Sequence, residues 1–133
     1  MKLIVNVDGG ARGNPGPAAI GIVVRDGEEN VLQDLGETIG EATNNVAEYK
    51  ALVRGIQMAR DMGGDELEIR GDSELVVKQM LGQYKVKHPD MKPLHAEAKE
   101  ALASVRSWSI SHVRREQNAE ADALVNQALD AAS

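Results

Sequence analysis

The apolar, β-branched run Leu3-Ile4-Val5-Asn6-Val7 ends on an acid, Asp8, and opens the stretch "DGGARGNPGPAAIG" of residues 8–21. A second β-branched run, Ile20-Gly21-Ile22-Val23-Val24, follows it. Two residues suffice to close a hairpin, so nine that are crowded with Gly and Pro read as a loop shaped around something. A strand that stops on a carboxylate beside such a loop restricts the fold to one that presents strand ends to a ligand. In open α/β sheets the carboxyl ends of the strands are that place.

The remaining pattern fits. Strands are expected at 2–8, 18–26 and 31–39, the last two joined across Asp26-Gly27-Glu28-Glu29-Asn30. Thr43-Asn44-Asn45 offers capping chemistry for a helix reaching Met62, where Gly63-Gly64 stops it. Val46, Tyr49, Leu52, Val53, Ile56 and Ala59 recur along it at helical spacing. A short strand at Leu67-Glu68-Ile69 leads to Asp72, and Ser73 begins a short helix closed by Gly82. Pro93 opens a third helix, residues 106–113 alternate as a strand, and Asn118 is expected to cap the last helix. The order βββαβααβα implies one α/β domain over residues 1–133. Its mixed sheet has an antiparallel meander first, then strands reached by helical crossovers and therefore parallel.

Composition narrows the chemistry. The 133 residues contain no Cys, which excludes a disulfide framework, a thiolate metal site and a thiol nucleophile. No leader or membrane-spanning run is visible, so a soluble, cytoplasmic protein without membrane association is expected. The net charge of −6 argues against a polyanionic partner unless several acids are gathered as metal ligands. Four are candidates. Asp8 and Asp72 end strands, whereas Glu48 and Asp122 lie at the border of apolar helical stripes with no Lys or Arg three or four residues away. Each alone reads as a solvated or capping residue. Four together repel unless something positive lies between them, and oxygen ligands without Cys suit Mg²⁺ or Mn²⁺.

The set "DGGARGNPGPAAIG", "ATNNVAEYKAL", "GDSELVVKQM" and "HVRREQNAEADALVNQAL" resembles type 1 ribonuclease H in order over nearly the whole chain, and most nearly its short archaeal and bacterial members. The resemblance implies a ribonuclease H-like fold: a five-stranded mixed sheet flanked by helices, its first three strands antiparallel. It implies an endonuclease that cuts the RNA strand of RNA–DNA hybrids with two divalent ions, Mg²⁺ or Mn²⁺, and leaves 5′-phosphate and 3′-hydroxyl ends. The metal ligands it implies are Asp8, Glu48, Asp72 and Asp122, with Asp8 bridging, Asp72 and Glu48 toward one ion and Asp122 toward the other. Such a pair stabilises the attacking and leaving oxygens of an in-line displacement. On the same pattern Ala11, Gly13 and Asn14 would read 2′-hydroxyls, the mark of RNA. Thr43 would meet a phosphate of the DNA strand, and Asn44 and Asn45 the minor groove. Helix capping is the competing reading of Thr43 and Asn44.

The chain departs from the pattern in two places. Many relatives carry a His in the loop after the fifth strand, but here Val113 is followed by Arg114-Arg115-Glu116. Arg115 is the candidate for that position. It could hold a phosphate but not act as a base near neutral pH. His112 falls within the expected strand and reads as structural. Longer relatives also insert a helix and a basic loop where this chain has only "GQYKVKHPDMKP", in which Lys85, Lys87 and Lys92 against Asp90 give a local net of +2. Weak, salt-sensitive substrate binding is expected. Trp108 reads as core, and the chain is expected to be a monomer. Two other readings remain: a nucleic-acid-binding module of the same fold without catalysis, and a nuclease that also cuts double-stranded RNA.

Overall fold

The computed structural model describes residues 1–133. Strands β1 (Lys2–Ala11), β2 (Gly16–Asp26) and β3 (Val31–Ala42) form the antiparallel meander. Strand β4 (Glu66–Gly71) pairs parallel with β1, and β5 (Ser107–His112) parallel with β4, giving the order β3-β2-β1-β4-β5. The helices are α1 (Asn44–Asp61), α2 (Glu74–Met80), α3 (Lys92–Ala103) and α4 (Ala119–Ala132), the last preceded by a 3₁₀ turn at Arg115–Asn118. This is the five-stranded mixed sheet and the element order that the sequence indicates. The crossovers through α1 and through α2 and α3 make β4 and β5 parallel to β1.

Alternation along β1 and β2 gives the sheet two buried faces. Leu3, Val5, Val7, Ile22 and Val24 share one core with Leu52, Ile56 and Ala59 of α1. Ala19 lies on the opposite face against Val125 and Leu129 of α4. Each fully buried Val, Leu or Ile contributes about 1.5–3 kcal/mol, so both helices are held firmly. Trp108 is half-buried against the larger core, with the Lys99 ammonium 5.3 Å from its ring centre. Gly64 N–H bonds back to the Ala59 carbonyl and closes α1 at the expected place.

Two helices approach the sheet more closely than side chains would permit. A Cβ on Gly9 would stand 2.3 Å from the Ala47 carbonyl carbon and oxygen, both in α1. A Cβ on Gly21 would stand 2.1 Å from the Ala121 carbonyl oxygen of α4. Gly21 pairs with Asp8 on β1, so the same residue pair brings α4 beside the end of β1.

The structure corrects three expectations. The presumed nine-residue loop is mostly strand: Gly9, Gly10 and Ala11 pair with Ile20, Ala19 and Ala18, which leaves only residues 12–15 to turn. Glycines in extended conformation can complete a ladder, and Pro17 sits where β2 starts. Strand β3 runs on to Ala42 rather than ending near 39. Asn118 makes no capping hydrogen bond. Its buried amide instead donates to the Val7 carbonyl (2.9 Å) and accepts from the Asn6 Nδ2 (3.0 Å), because satisfying a buried carbonyl outweighs a solvent-accessible cap.

Candidate active site

Asp8, 5% exposed, sits on β1 one residue before the glycine that admits α1. Thr43 caps α1, its Oγ1 accepting the Val46 N–H at 3.2 Å, and Glu48 follows one turn later. The Gly9 N–H donates to Glu48 Oε1 at 3.3 Å, tying strand to helix between the two acids. Asp72 lies just past β4 and next to Ser73, whose Oγ caps α2 by accepting the Val76 N–H. Carboxylate oxygens of Asp8, Glu48 and Asp72 lie within 4.8 Å of one another. Asp122, in the first turn of α4, is not one of that close trio but lines the same cavity of about 510 Å³.

The electrostatics reflect the crowding. Burial pushes the Asp8 carboxyl up to about 10, with the neighbouring Glu48 and Asp72 charges adding to it and hydrogen bonding to Glu48 and Asp122 contributing. Burial also raises Glu48, to about 8, reinforced by Asp72 and partly offset by hydrogen bonds from Asp8 and the Gly9 N–H and by Arg115. Ionising both of these enclosed acids together is therefore costly unless a cation lies between them. The donor set is carboxylate oxygen: the chain has no Cys, and no His lines the cavity. This fits a hard divalent cation and not a structural zinc.

Arg115 also lines the cavity, its Nη2 4.0 Å from Asp122 Oδ1 and its side chain 80% exposed. It is close enough to be drawn toward the acids and free enough to turn to a ligand. His112 ends β5, exposed and away from the cavity lining.

The Gly-rich turn is bound to the start of α1. The Ala11 N–H donates to Asn44 Oδ1 (2.9 Å), and the Asn44 N–H donates to Asn14 Oδ1 (3.1 Å). The Ala11 N–H is thus committed within the protein. Ala11, Asn44 and Asn45 line the cavity, whereas Gly13, Asn14 and Thr43 stand outside that lining. Gly13, at φ 99°, makes the turn's left-handed step.

Two residues of the site escape the sequence reading. Asn126 donates through Nδ2 to the Asp122 carbonyl (3.1 Å) and to its Oδ2 (3.5 Å). Its position one turn after Asp122 was the available signal. Arg12, within the Gly-rich turn, reaches α4, with Nη2 2.7 Å from Asp130 Oδ1 and 3.5 Å from the Asn126 carbonyl. Nothing local in the sequence announces that contact.

Comparison with known proteins agrees with this geometry. Residues 6–128 match the family model described as reverse transcriptase-like. The chain is 49% identical over 123 residues to ribonuclease HI of Halobacterium salinarum, covering 92% of this chain and 62% of the relative. It therefore spans less than two thirds of that relative, and 37% of a bifunctional protein of Mycobacterium tuberculosis that is 45% identical over 134 residues. The crystal structure of RNase H1 from Halobacterium salinarum superposes with a TM-score of 0.97 at 46% identity, covering 98% of this chain and 99% of that one. LC11-RNase H1, solved in complex with an RNA/DNA hybrid, superposes with a TM-score of 0.92 at 48% identity, covering 98% of each chain.

Proposed function

The chain belongs to the ribonuclease H family, and from that premise we propose that it is an endoribonuclease cutting the RNA strand of RNA–DNA hybrids. The observation that carries the proposal is the convergence of Asp8, Glu48 and Asp72 within 4.8 Å in a cavity shared with Asp122 and the Gly-rich turn. Asp8, Glu48, Asp72 and Asp122 would hold two divalent ions, Mg²⁺ or Mn²⁺. Two such ions stabilise the attacking and the leaving oxygen of an in-line displacement, giving 5′-phosphate and 3′-hydroxyl ends.

The chain's own residues then divide the work. Asp8, next to Glu48 and Asp72 and in reach of Asp122, would be the ligand common to the two ions. Asn126 steadies the Asp122 carboxylate through its amide. Arg115, permanently charged, offsets phosphate charge at the mouth of the cavity and takes no part as a base. Ala11, Gly13, Asn14, Asn44 and Asn45 face the minor groove, where the 2′-hydroxyl distinguishes RNA, and Thr43 meets a phosphate of the DNA strand while capping α1. Residues 1–133 would act as one ribonuclease H domain. No helix is long and apolar enough to cross a membrane.

Labelled RNA–DNA hybrid, RNA duplex and DNA duplex, offered to wild type and Asp72→Asn with Mg²⁺, Mn²⁺ or chelator, test the proposal. Metal-dependent cutting of the hybrid's RNA strand, lost in Asp72→Asn, is expected. Hybrid binding without cutting under every metal condition would mark a binding module instead, and cutting of the RNA duplex would widen the substrate class.

A further inference from the structure

Arg12 belongs to the turn between β1 and β2 and lines the acidic cavity. We propose that its guanidinium contacts a backbone phosphate of the nucleic acid entering that cavity and is held ready by an exchangeable pairing with Asp130. The inference rests on the hybrid-cutting function proposed above.

Its present partners hold it loosely. The Asp130 contact of 2.7 Å joins side chains that are 45% and 69% exposed. An exposed, solvent-screened pair of this kind contributes little, so the guanidinium can exchange a carboxylate for a phosphate. Its second contact, to the Asn126 carbonyl, is at the long limit of 3.5 Å. Planar, bidentate phosphate recognition suits Arg.

The cavity is strongly acidic. Its lining holds four acids against two basic side chains, Arg12 and Arg115. A polyanion running past the carboxylates needs charge offset along its length, not only at the reacting phosphate. Arg115 approaches Asp122, while Arg12 approaches Asp130 two turns further along α4. That is about 12 Å along the helix. A strand advances about 3.4 Å per nucleotide, so a strand lying along α4 would pass three to four nucleotides between the positions of the two acids. Asp122 keeps its own support meanwhile, because Asn126 reaches it through Nδ2 and not through the carbonyl that Arg12 touches.

A pure tether between the turn and α4 is the alternative, and it makes opposite demands on the two partners. The test measures binding of labelled RNA–DNA hybrid by fluorescence anisotropy between 50 and 200 mM salt, in Mg²⁺, on an Asp72→Asn parent that binds without cutting. Arg12→Ala should weaken binding about three- to tenfold at low salt and reduce the slope of log Kd against log salt by about 0.7–0.9, the signature of one lost phosphate. Arg12→Lys should keep most of the slope. Asp130→Asn, which frees the guanidinium, should bind as tightly as the parent or more tightly. Equal weakening by Arg12→Ala and Asp130→Asn overturns the contact, as does an unchanged slope in Arg12→Ala. A parent that fails to bind the hybrid removes the proposed function and this contact with it, whereas binding with an unchanged Arg12→Ala slope removes the contact alone.

Discussion

Replacing Gly9 with alanine sets one methyl group against backbone, and the cost can be worked from the distances. The new Cβ would stand 2.3 Å from the Ala47 carbonyl carbon and oxygen and 2.6 Å from the Glu48 nitrogen. Ordinary carbon contacts lie at about 3.5–4.0 Å, so β1 and the first turn of α1 must part by about 1 Å. Overpacking costs about 1–3 kcal/mol where side chains can yield. A helix backbone cannot rotate out of the way, which sets the expected loss at the upper end, about 3 kcal/mol. For a domain of this size that lowers Tm by about 12 °C, taking some 4 °C per kcal/mol. The gap opens between Asp8 and Glu48, and a misplacement of about 1 Å costs on the order of 100-fold in turnover. Thermal melts followed by circular dichroism, with hybrid cleavage assayed well below both midpoints, would measure the two effects. Gly10→Ala is the control for stability, since its Cβ would meet only Val125 Cγ1 at 3.7 Å. If the Gly9 and Gly10 variants melt together, the close-approach reasoning is wrong.

Further outcomes follow from the same geometry. Tyr49→Phe strips the buried Gln79 Oε1 of a 2.6 Å hydrogen bond and should cost about 1–3 kcal/mol by chemical denaturation, with hybrid cleavage unchanged where both proteins are folded. In chelator, folded-state pKa values of Asp8 and Glu48 raised above their unfolded ones mean that stability falls as pH rises toward about 8 and then 10. Asp8→Asn should lose part of that fall, and melting midpoints with identical pH profiles in the two proteins would contradict the crowding. Asp122→Asn should weaken one of two ions in titration calorimetry and spare the other, since Asp122 stands outside the close trio. Arg115→Ala should lower turnover several-fold and leave metal affinity in place, as steady-state kinetics beside the same calorimetry would report.

The sequence discloses those parts of the fold whose signals are local. Asp72 could be assigned to a strand end because the run before it stops there and a capping residue begins, whereas Asp8, expected to end β1, lies inside a strand that continues to Ala11. Glu48 and Asp122 could be assigned to helix borders because their neighbours repeat at helical spacing. What stayed hidden depends on distant partners. Gly and Pro between β1 and β2 suggest a long loop, yet extended glycines pair in the ladder as far as Ala11 opposite Ala18. Asn118 carries the composition of a cap, but Asn6 and the Val7 carbonyl claim its amide from the far end of the chain. Arg12 and Asp130 likewise meet only through tertiary packing. How the acids group was not legible in their local surroundings and came only with the family resemblance, which sets Asp72 and Glu48 toward one ion and Asp122 toward the other; Asp8, Glu48 and Asp72 stand close together and Asp122 is not in that trio.

The cavity draws on both layers of the molecule: Glu48 comes from the helix on one face of the sheet, and Asp122 from α4 on the other. During synthesis α4 is the last of these pieces to leave the ribosome. A nascent chain with its sheet and first helix already joined would hold a trio of carboxylates with no fourth to complete them. The lining of the cavity is complete only when that final helix docks.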